Sequence, residues 1–116
     1  MSNRLVVLGG GESGVGAAFL AFKKGIDVFL SEKNIIKLKF KKILIENNID
    51  FEEGIHSDEI ILKAKEVIKS PGIPNDLELI KKISSKNIPI ISEIEFAYRY
   101  TNANIIAVTG TNGKTT

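Results

Sequence analysis

The sequence predicts an α/β fold in which an open parallel sheet carries helices on both of its faces. Three observations support this prediction. Short apolar runs alternate with amphipathic stretches along the 116 residues, which is typical of strands alternating with helices. The first apolar run leads directly into a cluster of glycines. The connections are short, which favours right-handed crossovers between neighbouring parallel strands.

The first half of the chain predicts three strands and two helices. Strands are expected at 5–8, 27–30 and 50–53, and a helix at 14–24 joins the first two. Gly25 is expected to end that helix as its C′ residue, because glycine adopts left-handed backbone easily. A lysine-rich stretch then predicts the second helix, since its apolar residues recur at helical spacing: Ile36, Phe40, Ile43 and Leu44.

The second half predicts two more strands, at 66–69 and 89–91, and three helices. Each helix is preceded by a residue whose side chain can cap its first turn. In the last two, a glutamate three positions later completes a capping-box pattern. The predicted caps are Ser57, Asn75 with Glu78, and Ser92 with Glu95.

Residue 100 is the predicted domain boundary. The polar segment 101–104 is turn-prone and predicts a linker, and the β-branched run 105–109 predicts another buried strand. We therefore expect one domain at 1–100, and a linker with the start of a second domain at 101–116.

Composition excludes several classes of protein. Sixteen basic and 14 acidic residues give a net charge of +2, too little to indicate a nucleic-acid or membrane partner. The chain has no cysteine, so it has no disulfide framework and suits a reducing compartment. No apolar run is long enough to span a bilayer, and no signal-peptide pattern precedes the first strand. We expect a cytoplasmic monomer.

The glycine cluster matches the pattern G-x-G-x-x-G between a strand and a helix. Gly9 would allow the tight turn, Gly11 would let a ligand approach the backbone, and Gly14 would let the helix pack closely on the strand. This placement predicts a Rossmann-like sheet with a nucleotide-type ligand at the helix N-terminus. The alternative is a glycine turn with a structural role only.

Two further segments follow predicted strands at the edge where ligands of open α/β sheets bind. Ser31, Glu32 and Lys33 stand about 20 residues past the glycines, where dinucleotide folds place a ribose-binding acid. In the loop 70–74, prolines stiffen the backbone and Gly72 leaves room for a ligand. An exposed turn without a ligand role is the alternative for both.

The last seven residues predict a phosphate-binding loop, although Val108 stands where the usual P-loop pattern has its first glycine. Lys114 would neutralise phosphate charge, and Thr115 would ligate Mg²⁺. The predicted ATP-binding residues are Gly110, Thr111, Asn112, Gly113, Lys114, Thr115 and Thr116.

Other polar residues predict no chemistry. His56 is the only histidine, and its position beside a predicted N-cap favours a surface loop over catalysis. The lysines of the second helix fit a solvated face. No nucleophile stands in a pattern with a general base.

The glycine turn 9–16, the loop 70–74 and the terminal segment 109–116 together resemble the Mur ligases of peptidoglycan synthesis. Within that family the chain is most similar to the branch that adds D-glutamate. The resemblance covers nearly all of this chain but only about a quarter of such a ligase. It implies that the chain is the first part of a longer enzyme.

The resemblance implies an ATP-dependent carboxylate–amine ligase that joins D-glutamate to UDP-N-acetylmuramoyl-L-alanine. ATP would phosphorylate the substrate carboxylate, and the amine of D-glutamate would then displace phosphate, with Mg²⁺ at Thr115. This chain alone would lack the complete active site. The UDP-binding residues implied are Gly11, Glu12, Ser13, Gly14, Ser31, Glu32, Lys33 and Gly72.

Two other functions fit parts of the pattern. An NAD(P)-binding domain of an oxidoreductase is favoured by the glycine turn and Glu32, and disfavoured by the terminal Gly-Lys-Thr. A non-catalytic nucleotide-binding module is also consistent with the chain. Uridine nucleotides and NAD as ligands would distinguish these interpretations.

Overall fold

A computed structural model describes residues 4–74 and 76–108. Strands and helices alternate throughout these residues. The strands are β1 Leu5–Leu8, β2 Val28–Glu32, β3 Asp50–Glu53, β4 Glu66–Lys69 and β5 Ile90–Ser92. The helices are α1 Glu12–Lys23, α2 Leu38–Glu46, α3 Asp58–Ile61, α4 Glu78–Ser85 and α5 Glu93–Val108.

In the described part of the chain, all strand pairs are parallel and the sheet order is β3-β2-β1-β4-β5. The chain runs outward from β1 through β2 to β3, and then crosses to β4 and β5 on the other side. The strand order therefore reverses between β1 and β4, which is where open α/β sheets bind ligands. The predicted fold class is confirmed.

A hydrophobic core lies on each face of the sheet, so every residue of β1 is buried. Leu5 and Val7 pack with residues of α1, α2 and α5. Val6 and Leu8 point to the opposite face and pack with residues of α3 and α4. The continuous apolar sequence of β1 follows from this two-sided burial.

The start of α1 and the end of β2 differ from their predicted positions, and both lie at the edge of the sheet where a ligand is expected. Helix α1 begins at Glu12, two residues earlier than predicted, because the N–H of Val15 already donates to the Gly11 carbonyl. Strand β2 extends through Ser31 and Glu32, two residues past its predicted end at residue 30. These two residues stay in the strand because they pair with β3.

The predicted helix ends are confirmed in part. Gly25 has φ +77° after the C-cap of α1, and Ser92 accepts the N–H of Glu95 at its Oγ, 3.0 Å away. Ser57 is the N-cap of α3 but makes no side-chain capping bond. The N-cap of α4 is Leu77, so this helix starts later than predicted, and Asn75 lies outside the described residues.

The predicted linker 101–104 and strand 105–109 are wrong for the residues that the structure describes. Helix α5 continues without a break through Val108. A helix satisfies its own backbone hydrogen bonds, whereas a strand needs a neighbouring strand, and β5 is followed directly by α5. No helix in the described residues is long and apolar enough to cross a membrane. The domain division at residue 100 stays a prediction.

An ion pair joins α5 to the first residue of β4. The Arg99 guanidinium donates to both carboxylate oxygens of Glu66, at 2.9 and 2.8 Å, and this pairing raises the pKa of Arg99. Replacing Arg99 with alanine should lower the free energy of unfolding by about 1 kcal/mol, since the pair is bidentate but partly exposed. Urea denaturation checks this, and a loss that persists in a Glu66→Gln background would contradict it.

Candidate functional site

A cavity of about 470 Å³ lies at the carboxyl ends of four strands, at the point where the strand order reverses. Segments that follow β1, β2, β3 and β4 all contribute to it. Its lining residues are Gly9, Gly11, Glu32, Lys33, Asn34, His56, Ser70, Gly72, Ile73, Pro74 and Leu77. This is the position where the sequence predicts a nucleotide.

The glycine turn at one side of the cavity leaves no space for side chains at its first and third glycines. Gly9 has φ +119°, and a Cβ there would lie 2.8 Å from the Ser70 Cβ. A Cβ on Gly14 would lie 2.0 Å from the Gly9 carbonyl oxygen. The turn and the close helix–strand packing predicted for these two residues are confirmed.

The second glycine instead leaves open space. Gly11 is the N-cap of α1, and an added Cβ would meet no atom within 4 Å. Since the first intrahelical bond runs from the Val15 N–H to the Gly11 carbonyl, the N–H groups of residues 12–14 have no partner within the helix. Such donors and the helix dipole favour an anion.

Glu32 lines the cavity, but its carboxylate is occupied by the backbone. One oxygen accepts the Gly10 N–H at 2.6 Å and the other accepts the Asn34 N–H at 2.9 Å. The carboxylate thus fixes the glycine turn to the end of β2. A ribose hydroxyl would have to compete with these two bonds.

Three hydrogen bonds hold the loop after β4 in place. The Ser70 N–H donates to the Leu8 carbonyl at 3.1 Å, and the Ser70 Oγ donates to the buried Glu93 carboxylate at 2.9 Å. The Lys69 ammonium donates to the Ile73 carbonyl at 2.7 Å. Gly72, at the exposed tip of this loop, is left facing the cavity.

A polar cluster behind the cavity was missed by sequence analysis. The buried Ser31 Oγ lies 2.7 Å from the Glu52 Oε2 and 2.7 Å from the His56 Nδ1. Glu52 also accepts the backbone N–H and the hydroxyl of Ser57, at 2.7 and 2.5 Å. His56 is in a loop as predicted, but it is half-buried and lines the cavity. The position of His56 just after β3 could have indicated that it lies at the ligand edge of the sheet.

The cluster shifts two pKa values downward. Burial favours a higher pKa for Glu52, but hydrogen bonds from Ser57 and Ser31 outweigh burial and lower it below 4.5. Burial lowers the pKa of His56 below 6.5, against opposing contributions from nearby carboxylates. At neutral pH the carboxylate is therefore ionised and the imidazole is neutral.

These shifts predict a loss of stability in acid. Because both folded-state pKa values are lowered, stability is complete above pH 6.5, falls first as His56 protonates, and falls again below pH 4.5 as Glu52 protonates. Glu52→Gln should cost about 1 kcal/mol at pH 7, and its deficit should shrink below pH 4.5. Denaturant unfolding across pH measures this, and a deficit independent of pH would contradict it.

The predicted UDP-binding residues fall into three places. Gly11, Glu32, Lys33 and Gly72 line the cavity. Ser31 lies behind it, and Gly14 packs against Gly9. Glu12 and Ser13 line other cavities, on either side of α1, and are not in the lining of this one. The predicted ATP and Mg²⁺ residues, 110–116, lie outside the described residues.

Known proteins are similar to this chain in sequence. Residues 4–79 match the MurD N-terminal domain family. The chain is 58% identical over 113 residues to the UDP-N-acetylmuramoylalanine–D-glutamate ligase of Bacteroides thetaiotaomicron, covering 97% of this chain and 26% of that protein. The ligase of the same name from Porphyromonas gingivalis is 55% identical over 112 residues, covering 97% and 25%.

The fold is also that of a solved ligase. The UDP-N-acetylmuramate–alanine ligase MurC of Thermotoga maritima superimposes with a TM-score of 0.71 at 23% identity, covering 86% of this chain and 23% of that one. The chain spans about a quarter of the length of the curated relatives it matches. It belongs to the MurD N-terminal domain family.

Proposed function

We propose that this chain is the domain that binds the UDP end of the substrate in a ligase adding D-glutamate to UDP-N-acetylmuramoyl-L-alanine. The observation that carries the proposal is the cavity at the strand-order reversal, lined by Gly11 and Gly72, in a chain of this family. The names of the relatives support the choice of D-glutamate as the amino acid added.

In this proposal the N-terminus of α1 binds the pyrophosphate. The N–H groups of residues 12–14 are the donors, and Gly11 and Gly72 allow the phosphates close to the backbone. Glu12 contributes its N–H because its carboxylate would repel an anion. Glu32 and Lys33 then lie beside the nucleoside end, where the Glu32 carboxylate fixes the glycine turn. Ser31, which is buried, supports that end from behind the cavity.

ATP and Mg²⁺ are proposed to bind at residues 110–116, with Lys114 facing the phosphates and Thr115 the metal ion. Residues 1–100 would form the UDP-substrate domain, and 101–116 would lead into the ATP-binding domain. Because the chain spans about a quarter of its relatives, we expect no ligase activity from it alone. A monomer in the cytoplasm is part of the same proposal.

The NAD(P)-binding alternative is less well supported. It needs the Glu32 carboxylate for a ribose, whereas that carboxylate accepts two backbone N–H groups at 2.6 and 2.9 Å. A non-catalytic nucleotide-binding module agrees with the cavity but gives no reason for the similarity to ligases.

Calorimetric titration of the 116-residue chain tests the proposal. UDP and UDP-N-acetylmuramoyl-L-alanine should bind saturably, and backbone amide NMR signals of residues 11–14 and 72 should shift. NAD should give no comparable response. Saturable NAD binding with no response to either uridine compound would overturn the proposed function.

A further inference from the structure

The polar cluster behind the cavity determines which nitrogen of His56 carries the proton. Ser31 has a single hydroxyl proton and three partners: the Glu52 Oε2 and the His56 Nδ1 at 2.7 Å, and the Ile55 carbonyl oxygen at 3.3 Å. An ionised carboxylate accepts hydrogen bonds and donates none. Since Glu52 is ionised at neutral pH and its oxygen, at 2.7 Å, is nearer than the neutral Ile55 carbonyl at 3.3 Å, the Ser31 hydroxyl donates to Glu52.

The Ser31 oxygen is then left to accept a hydrogen bond from His56. The Nδ1 must therefore carry a proton, and in the neutral imidazole the Nε2 is then an unprotonated acceptor. Glu52 is itself fixed by the N–H and the hydroxyl of Ser57. The cluster thus holds one ring orientation and one tautomer.

The Nε2 of His56 is the nitrogen that remains for a ligand. The imidazole lines the cavity, and no hydrogen bond to Nε2 occurs among residues 4–74 and 76–100. Polar side chains of Lys33 and Asn34 line the cavity together with His56, and apolar side chains of Ile73, Pro74 and Leu77 complete the lining. A flat heterocycle with a polar edge suits such a lining.

We propose that His56 selects the base of the bound nucleotide by accepting, at Nε2, a hydrogen bond from an imide N–H. This inference rests on the proposed function and adds to it a residue that determines specificity. In a uracil whose N1 carries the sugar, N3–H is the only N–H donor. Cytosine has an unprotonated N3 at that position, so its N3 and the His56 Nε2 would be two hydrogen-bond acceptors facing each other.

Matched ligands and variants test this proposal by calorimetry on the 116-residue chain. UDP should bind the wild type about tenfold more tightly than 3-methyluridine diphosphate or CDP, which is the effect of one buried hydrogen bond. His56→Asn keeps an amide N–H for Ser31 but has no acceptor at the Nε2 position. Its affinities for the three ligands should agree within about twofold. His56→Gln, which restores an acceptor at that distance, should regain part of the preference.

The outcomes separate this inference from the proposed function. A preference for UDP that survives in His56→Asn would overturn the role of His56 and leave the UDP site standing. Equal wild-type affinities for UDP and 3-methyluridine diphosphate would do the same. Absence of UDP binding to the wild type would overturn both. The tautomer has its own readout, since ¹⁵N NMR of His56 must show an unprotonated Nε2.

Discussion

Replacing Gly14 with alanine should lower the free energy of unfolding by about 3 kcal/mol or more. The added Cβ would lie 2.0 Å from the Gly9 carbonyl oxygen and 2.9 Å from its carbon. Both are backbone atoms of a turn that is also held by the bond from the Gly9 N–H to the Ser31 carbonyl. Relief requires α1 to move away from β1, which would open the core between them. Urea denaturation measures the loss.

The matched control lies two residues further along the same helix. Gly16 is exposed, and a Cβ there would meet no atom within 4 Å. Gly16→Ala should raise stability by about 0.5–1 kcal/mol, because alanine loses less backbone entropy in a helix. Equal effects of the two substitutions would show that helix propensity, and not the contact with Gly9, determines the role of Gly14.

The roles of the glycines were predictable because they follow from local backbone sterics. The spacing of Gly9, Gly11 and Gly14 between an apolar strand and a helix already predicts their roles. Gly9 forms the turn, Gly11 leaves the backbone open to a ligand, and Gly14 allows close packing of the helix. The structure confirms the turn and the contact. The fold class was predictable for a similar reason, since the alternation of strands and helices is a pattern along the sequence.

Contacts between distant residues were not predictable in this way. Ser31 and His56 are 25 positions apart, and they meet only because β2 and β3 pair in the register that sets Ser31 opposite Glu52. Glu32 was assigned to a ligand because its position along the chain fits one. Its bonds to the Gly10 and Asn34 N–H groups depend on the carboxylate rotamer, which no sequence pattern encodes.

The strand predicted at 105–109 is wrong over the described residues 105–108, and the reason is a different one. Its β-branched residues favour a strand on any sheet that offers a free edge. In the described residues the chain passes directly from β5 into α5, and the helix continues to Val108. The β propensity of the segment therefore indicates that it can form a strand. Whether it does so depends on a neighbouring strand with which it can pair.

Filling the cavity from Gly72 should weaken UDP binding without unfolding the protein. Gly72 is exposed, lines the cavity, and would place a new Cβ more than 4 Å from any heavy atom outside its chain neighbours. It is not among the residues with positive φ, so larger residues should fit its backbone. Gly72→Phe should reduce UDP affinity about 100-fold, close to 3 kcal/mol, because the ring occupies the space of the ligand. Calorimetry measures the change.

Two further variants separate occlusion of the cavity from other effects of the substitution. Gly72→Ala adds a single methyl group and should change UDP affinity less than about threefold, so the loss should grow with side-chain volume. Ile45→Phe places the same ring at an exposed position on α2 outside the cavity lining, and should leave affinity unchanged. All three should keep the wild-type stability within about 0.5 kcal/mol. If Gly72→Phe bound UDP normally while remaining folded, the uridine nucleotide would have to lie elsewhere, because a ring and a pyrophosphate cannot share this space.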